Sequence, residues 1–404
     1  DRGEYIKSRN YLKIFLDRVP ERASSPEIDL LNRSILFAEN ELAKPRDSIL
    51  VEELPTQVNR FTLQYLPAVT IDEASIYYTK RDQVSGDEDI VVSHKKEGVW
   101  QTAVPVSNRI NSAFNEGACT VSADGRTMIF TSCNGRNSVG SCDLYITRRV
   151  GEKWSYPKNL GKPINTIYWE SQPSLSADGK TLFFASNRRG GFGGRDLWYS
   201  KNIDGKWTAP KNLGKGVNTR NDEATPFIHP NNRQLYFSGN GYPGMGGYDL
   251  FFSQLTDSIW SEPKNLGYPI NTHKDEVSII ISASGLTAYF AKEEQKNYQI
   301  LDSKLVKIQL PQSLESKPVS YIVGVVNDAT SNEPLRAELQ VVSLQDKETI
   351  YNSFSDSLSG EYYFTLPIGL DLAAYVKKKG YLYADFKFST QENSVLSPDT
   401  INIS

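Results

Sequence analysis

The chain has 404 residues, too many for one hydrophobic core, so two or three domains are expected. Hydrophobic residues make up 39% and charged residues 23%, a folded rather than a disordered composition. A formal net charge of -3 excludes a general affinity for nucleic acid, which needs a clustered basic field. No run reaches about 18 uninterrupted apolar residues, so no membrane span is expected.

In chain order, residues 3–18 and 26–43 are amphipathic at helical spacing. Leu30, Leu31, Ile35, Ala38 and Leu42 form a stripe, and Pro26 sits where a helix starts. Residues 1–46 therefore read as a short α-helical segment that caps another element or is the remnant of a helical-repeat array. The opening DRGEYIKSRNYLKIF holds no apolar signal segment, and the sequence reads as a piece of a longer protein.

Repeats dominate residues 49–310. Trp100, Trp154, Trp207 and Trp260 are spaced by 54, 53 and 53 residues, and Asn-Leu-Gly recurs at 159–161, 212–214 and 265–267. Asn111, Asn165, Asn218 and Asn271 each precede an acid by five positions: Glu116, Glu170, Glu223 and Glu276. Each unit continues with an apolar run, a turn (SADG at 122–125 and 176–179, HPNN at 229–232, SASG at 282–285) and a second apolar run. After a Gly-rich loop come Asp143, Asp196 and Asp249 with flanking aromatics. This pattern reads as four short strands per unit, and a period near 53 suits a propeller blade better than a helical repeat.

YLPAVT at 65–70 is a fifth inner strand, with Asn59 and Gln64 at the Asn and acid positions. The last copy lacks an outer strand, and residues 49–59 supply a candidate, so the ring is expected to close on itself. Residues 319–404 alternate apolar and polar in further strands. The fold class expected is mainly β: a five-bladed β-propeller over 47–312, a small β-sandwich over 318–404 and the helical segment.

An acid repeated in register on nearly every copy reads as a structural acceptor. A glycosidase needs two carboxyls in unlike environments, which should break the repeat. His94, His229 and His273 fall at different repeat positions, so neither a metal nor a cofactor is expected. Cys133 and Cys142 flank one Gly-rich loop and are expected to be disulfide-bonded, with Cys119 free. The loops opposite the Asp-Gly turns are long and variable. They carry Tyr168, Trp169, Arg188, Arg189, Phe192, Arg195, Tyr242 and Met245, residue types that anchor interfaces, so this is the expected partner-binding face.

The segments SADGRTMIFTS…CDLY, SADGKTLFFAS…RDLW and NNRQLYFSG…YDLF resemble TolB-type, WD-like propeller repeats. VVND…EPLRAEL, Ser355-Asp356…Gly360-Glu361-Tyr362 and Lys379-Gly380-Tyr381 are similar to the carboxypeptidase regulatory-like domain. The order of modules resembles Bacteroidota OmpA-family envelope lipoproteins, such as the PorE-type component of the type IX secretion system. That resemblance implies a non-catalytic scaffold in the periplasm, associated with the outer membrane and docking protein partners. Peptidoglycan would be reached only through an OmpA-like domain outside these residues. The alternative is a module binding glycan or peptidoglycan fragments; the third is a glycosidase.

Overall fold

The computed structural model describes residues 3–44, 49–151, 153–203, 205–296, 299–390 and 399–404. Two helices, α1 (Tyr5–Arg18) and α2 (Pro26–Ala43), precede a body built from antiparallel sheets. Ser25 caps α2 by accepting the Ile28 N–H, and Pro26 occupies the first turn, where a missing N–H costs nothing. Among the described residues no helix is long and apolar enough to cross a membrane.

Five sheets follow in sequence order. The second is typical: Asn115–Val121, Thr127–Cys133, Cys142–Val150 and Lys153–Trp154 pair in turn, with Lys158–Asn159 added to the third strand. The fifth sheet instead runs Ile279–Ile281, Thr287–Lys296, Gln299–Gln309 and then Val51–Glu53 from the start of the body. Val51 faces Ile308 and Glu53 faces Val306, so the N-terminal strand covers an edge that would otherwise be open.

Each junction between consecutive sheets has its own apolar cluster. Ile90 and Met128 share one, Leu144 and Phe184 the next, and Leu197 and Phe237 the third. Leu250 with Val306 and Tyr289 with Ile76 complete the circuit, so the fifth sheet packs against the first. The repeated asparagines bind these junctions. Asn111 Oδ1 accepts the Ile90 N–H at 3.0 Å while its Nδ2 donates to the Ile90 carbonyl at 2.9 Å. Asn165, Asn218 and Asn271 do the same to Leu144, Leu197 and Leu250. Asn59 repeats the pair on Leu305, 246 residues away, so the seam is chemically equal to the other junctions.

Four inner strands contain a bulge with a residue at positive φ: Leu66, Ala118, Gln172 and Thr225. The preceding sheet satisfies freed backbone donors, since Thr79 Oγ1 accepts from Ala118 N and Thr131 Oγ1 from Gln172 N.

The C-terminal part forms two further sheets. One orders Glu361–Pro367, Val319–Val325 and Asp399–Thr400; the other orders Thr349–Phe354, Glu338–Ser343, Asp371–Lys377 and Ala384–Ser389. Leu339, Phe364, Leu366 and Leu372 lie in one core between them.

Cys133 and Cys142 are joined, and Cys119 is free and buried. Burial pushes the Cys119 thiol up to about 12. Replacing Cys133 and Cys142 by serine is expected to cost about 2–3 kcal/mol on the chain-entropy account. Alkylation of the native, unreduced protein should label no cysteine, and recovery of labelled Cys133 or Cys142 would refute the bond in the natural compartment.

Candidate docking face

The Gly-rich loops of the second, third and fourth sheets share one design. Asp196 accepts the backbone N–H groups of Phe192 and Gly193 at 2.7 and 3.0 Å, and Asp143 does so for Val139 and Gly140 at 2.6 and 3.1 Å. Asp249 holds Met245 and Gly246 in the same way. The asparagine of Asn-Leu-Gly buttresses the carboxylate: Asn159 Nδ2 donates to Asp143 at 2.7 Å and Asn212 Nδ2 to Asp196 at 2.6 Å. The glycine after each held residue lies against the next connection. A Cβ on Gly193 would fall 1.9 Å from the Asn221 carbonyl, and one on Gly246 would fall 2.0 Å from that of Lys274. Glycine is required by close backbone approach, and the loop is not a phosphate cradle. The outcome is a row of apolar knobs, Val139, Phe192 and Met245, each four residues before its aspartate.

The repeated glutamates all face inward. Glu170 accepts from Thr166 N and Oγ1 at 2.8 and 2.6 Å and from Ser186 Oγ at 2.9 Å. Arg188 completes the site at 3.1 Å, and Arg136 does the same for Glu116. Glu223 and Glu276 keep the threonine bonds but have no ion pair among the described residues. Burial pushes Glu223 up to about 7 and Glu276 up to about 8. All four are structural acceptors in register.

The eight residues expected on the partner-binding face divide into two groups. Arg188 is inside: it lies over the rings of Phe184 and Trp198, and its Nη2 also donates to the Ile164 carbonyl. Tyr242 takes the equivalent place in the fourth sheet, donating to the Val217 carbonyl at 2.6 Å and packing on Phe251. Met245 is buried, 2% exposed, because α1 and α2 fold onto it. The chain's own packing engages all three side chains.

Of the other five, Arg189 and Phe192 are exposed, while Tyr168, Trp169 and Arg195 are half-buried, with Trp169 packed against the cluster of Leu197 and Phe237. The Arg195 guanidinium lies over the Trp169 ring at 5.2 Å and pairs with Asp222 at 3.7 Å. Phe192 is 41% exposed, and Lys215 lies over its ring at 5.8 Å. Gly194 N donates to the Asn221 carbonyl, which brings Arg220 alongside. Lys215 and Arg220 were not foreseen: they sit more than twenty residues away, in the connection to the next sheet.

The opposite face, with the Asp-Gly turns, is covered by the C-terminal sheets. Arg126 pairs with Glu361 and donates to Ser359 Oγ, Val319 N donates to the Ala283 carbonyl, and Lys180 Nζ donates to the Asn352 carbonyl. Ile71, Ala283, Val319 and Tyr321 form a cluster there. The cavity on the ring axis opens toward this cluster and is lined by Ala68, Cys119, Pro173, Leu175, Phe227 and Ile281 among others, none of them acidic, basic or histidine. His94 meets Ser75, His229 is buried against the Ser282 carbonyl, and His273 lies beside Gly3, so the three do not converge.

The geometry defines a ring of antiparallel, propeller-like sheets whose loop face is covered by the helical pair at Met245 and left exposed at Phe192. No family profile and no curated protein matches the chain. Among solved structures it is similar to a TolB protein from Agrobacterium tumefaciens, at 13% identity and a TM-score of 0.40, covering 76% of this chain and 91% of that one. It is also similar to an α-L-arabinofuranosidase from Podospora anserina in complex with cellotriose (11%, 0.43, 64% and 93%). A third is a gluconolactonase from Xanthomonas campestris (9%, 0.36, 67% and 99%). Identities and scores this low decide neither chemistry nor partner.

Proposed function

We propose that the chain is a non-catalytic scaffold whose ring is a five-bladed β-propeller and whose C-terminal sheets form a β-sandwich. It docks a protein partner through the loop face around Phe192. The observation that carries this reading is the disposition of the two faces. The turn face is covered by the chain's own C-terminal sheets, while the loop face leaves an aromatic ring and a set of cations in the open.

A glycosidase is the weaker reading, because the repeated carboxylates all accept backbone and hydroxyl hydrogens and none lines the axial cavity. The resemblance to OmpA-family envelope lipoproteins sets the proposed place, the periplasmic side of the outer membrane within a complex such as the type IX secretion system. Peptidoglycan would be held there by another domain. Glycan binding by stacking on Trp169 or Phe192 is the second reading.

The test is replacement of Trp169, Arg189 and Phe192 together by alanine. Partner capture from crosslinked cells should be abolished while the thermal unfolding midpoint stays within a few degrees. Undiminished capture, or loss only on substitution at the Arg126–Glu361 side, would overturn the assignment of the face.

A further inference from the structure

Val139, Phe192 and Met245 occupy one position in three successive sheets, each held by the aspartate four residues later. Their surroundings differ. Met245 is covered by the helical pair: Tyr5, Leu12, Ile35 and Ala38 share its cluster, and Tyr5 Oη donates to its carbonyl at 2.8 Å. Ser34 of α2 accepts the neighbouring Gly244 N–H at 3.2 Å. The Met245 loop is thus a seat for amphipathic helix, and this chain fills it itself. Phe192, on the same backbone frame, is left 41% exposed.

The rim of the Phe192 position is basic. Arg189 is exposed and has no hydrogen bond or ion pair among the described residues. Lys215 lies over the Phe192 ring, and Arg220 stands on the segment against Gly193. The two acids beside the loop are already engaged: Asp196 accepts the Phe192 and Gly193 N–H groups and the Asn212 amide, and Asp222 accepts from Arg195 N and Tyr248 Oη and pairs with the Arg195 guanidinium. The filled seat shows what chemistry suits this rim. Glu27, in the first turn of α2, has its carboxyl held below the usual range by its own backbone N–H and by Ser25, with Arg22 and Arg220 adding to the effect. A helix lying over the loop face thus already brings a carboxylate within electrostatic reach of Arg220.

We propose that Phe192, with Arg189, Lys215 and Arg220, is a second helix seat on the plan of the one at Met245. It takes an amphipathic helix of a partner protein that carries carboxylates beside its apolar stripe. The apolar stripe covers Phe192 as α1 and α2 cover Met245, and the carboxylates meet the three cations. This deepens the docking reading above and rests on it.

The probes are a hydrocarbon-stapled helix with a leucine face flanked by glutamates, the same helix with glutamines, and a proline-broken extended peptide of the first composition. Polygalacturonate serves as an anionic glycan. Fluorescence anisotropy with the full chain should show the acidic helix bound, and the glutamine helix and the extended peptide about tenfold weaker. Phe192→Asp, and separately Arg189→Glu with Lys215→Glu and Arg220→Glu, should each weaken the acidic helix at least about tenfold. All four sites are at the surface, and unchanged circular dichroism verifies the fold.

Equal binding of the extended peptide, no binding of the acidic helix, or binding unaffected by these substitutions overturns the proposal. So does saturable binding of polygalacturonate alone. If partner capture is lost in the Trp169, Arg189 and Phe192 variant while the acidic helix does not bind, docking stands and the helix seat falls. If capture persists as well, both fall.

Discussion

Replacing Arg188 by methionine is expected to destabilise the ring by about 3–5 kcal/mol, the usual cost of leaving a buried charge without its partner. Glu170 is fully buried and the Arg188 side chain is only 9% exposed. Methionine fills much of the space over Phe184 and Trp198 but removes the cation, the hydrogen bond to Ser186 and the bond to the Ile164 carbonyl. Adding Glu170→Gln should recover a substantial part, because glutamine removes the uncompensated charge and can still accept the Thr166 N–H. Urea unfolding of the two variants measures both effects. A loss below about 1 kcal/mol for Arg188→Met would show that the pair contributes little.

Arg188 also shows where the sequence misleads. An arginine two residues past a strand, in a glycine-rich loop beside Arg189, reads as surface. Its real position follows from Glu170, eighteen residues earlier, which is legible as a structural acid but not as one that needs a cation. In the fourth sheet Tyr242 performs the carbonyl contact without the charge, so the repeat does not announce the role. By contrast, the ring seam was readable, since Asn59 and Gln64 keep the spacing of the later copies and the last copy lacks an outer strand.

The helix seat at Met245 and the covered turn face were not readable, because both depend on separate elements folding back onto the ring, Tyr5 onto Met245 and Glu361 onto Arg126. Val319–Val325 did carry a signal within its alternation: Val319, Tyr321 and Val323 share one face, and Ile322 places an apolar residue on the other. Ile322 enters the sandwich core while Val319 and Tyr321 meet Ile71 and Ala283. A strand with two apolar faces needs two partners.

The second large effect is on pH. Glu223 at about 7 and Glu276 at about 8 lie well above the ordinary glutamate value of 4.5, so the folded chain holds protons that the unfolded chain has released. Their contribution is fully present below pH 4.5 and is lost as pH rises through the folded values. The buried His229, pushed down to about 4, has the opposite sign: its contribution is present above 6.5 and is lost as pH falls. His94 and His273, also lowered, act in the same sense as His229. At pH 6.5 the histidines of the unfolded chain are still about half protonated, so their loss of protons toward pH 8.5 offsets a minor part of the effect, and the two glutamates set the sign of the slope.

From pH 6.5 to 8.5 the chain should lose about 2 kcal/mol of unfolding free energy. Glu223→Gln with Glu276→Gln should flatten the profile. Glutamine fits this frame, as the first sheet shows: Gln64 Oε1 accepts the Phe61 N–H at 3.3 Å and its Nε2 donates to Asn59 Oδ1. Urea midpoints at the two pH values, for the natural chain and the double variant, provide the measurement. A natural chain as stable at pH 8.5 as at 6.5, or a double variant with the same slope as the natural chain, would show that these two carboxyls do not titrate as their burial requires.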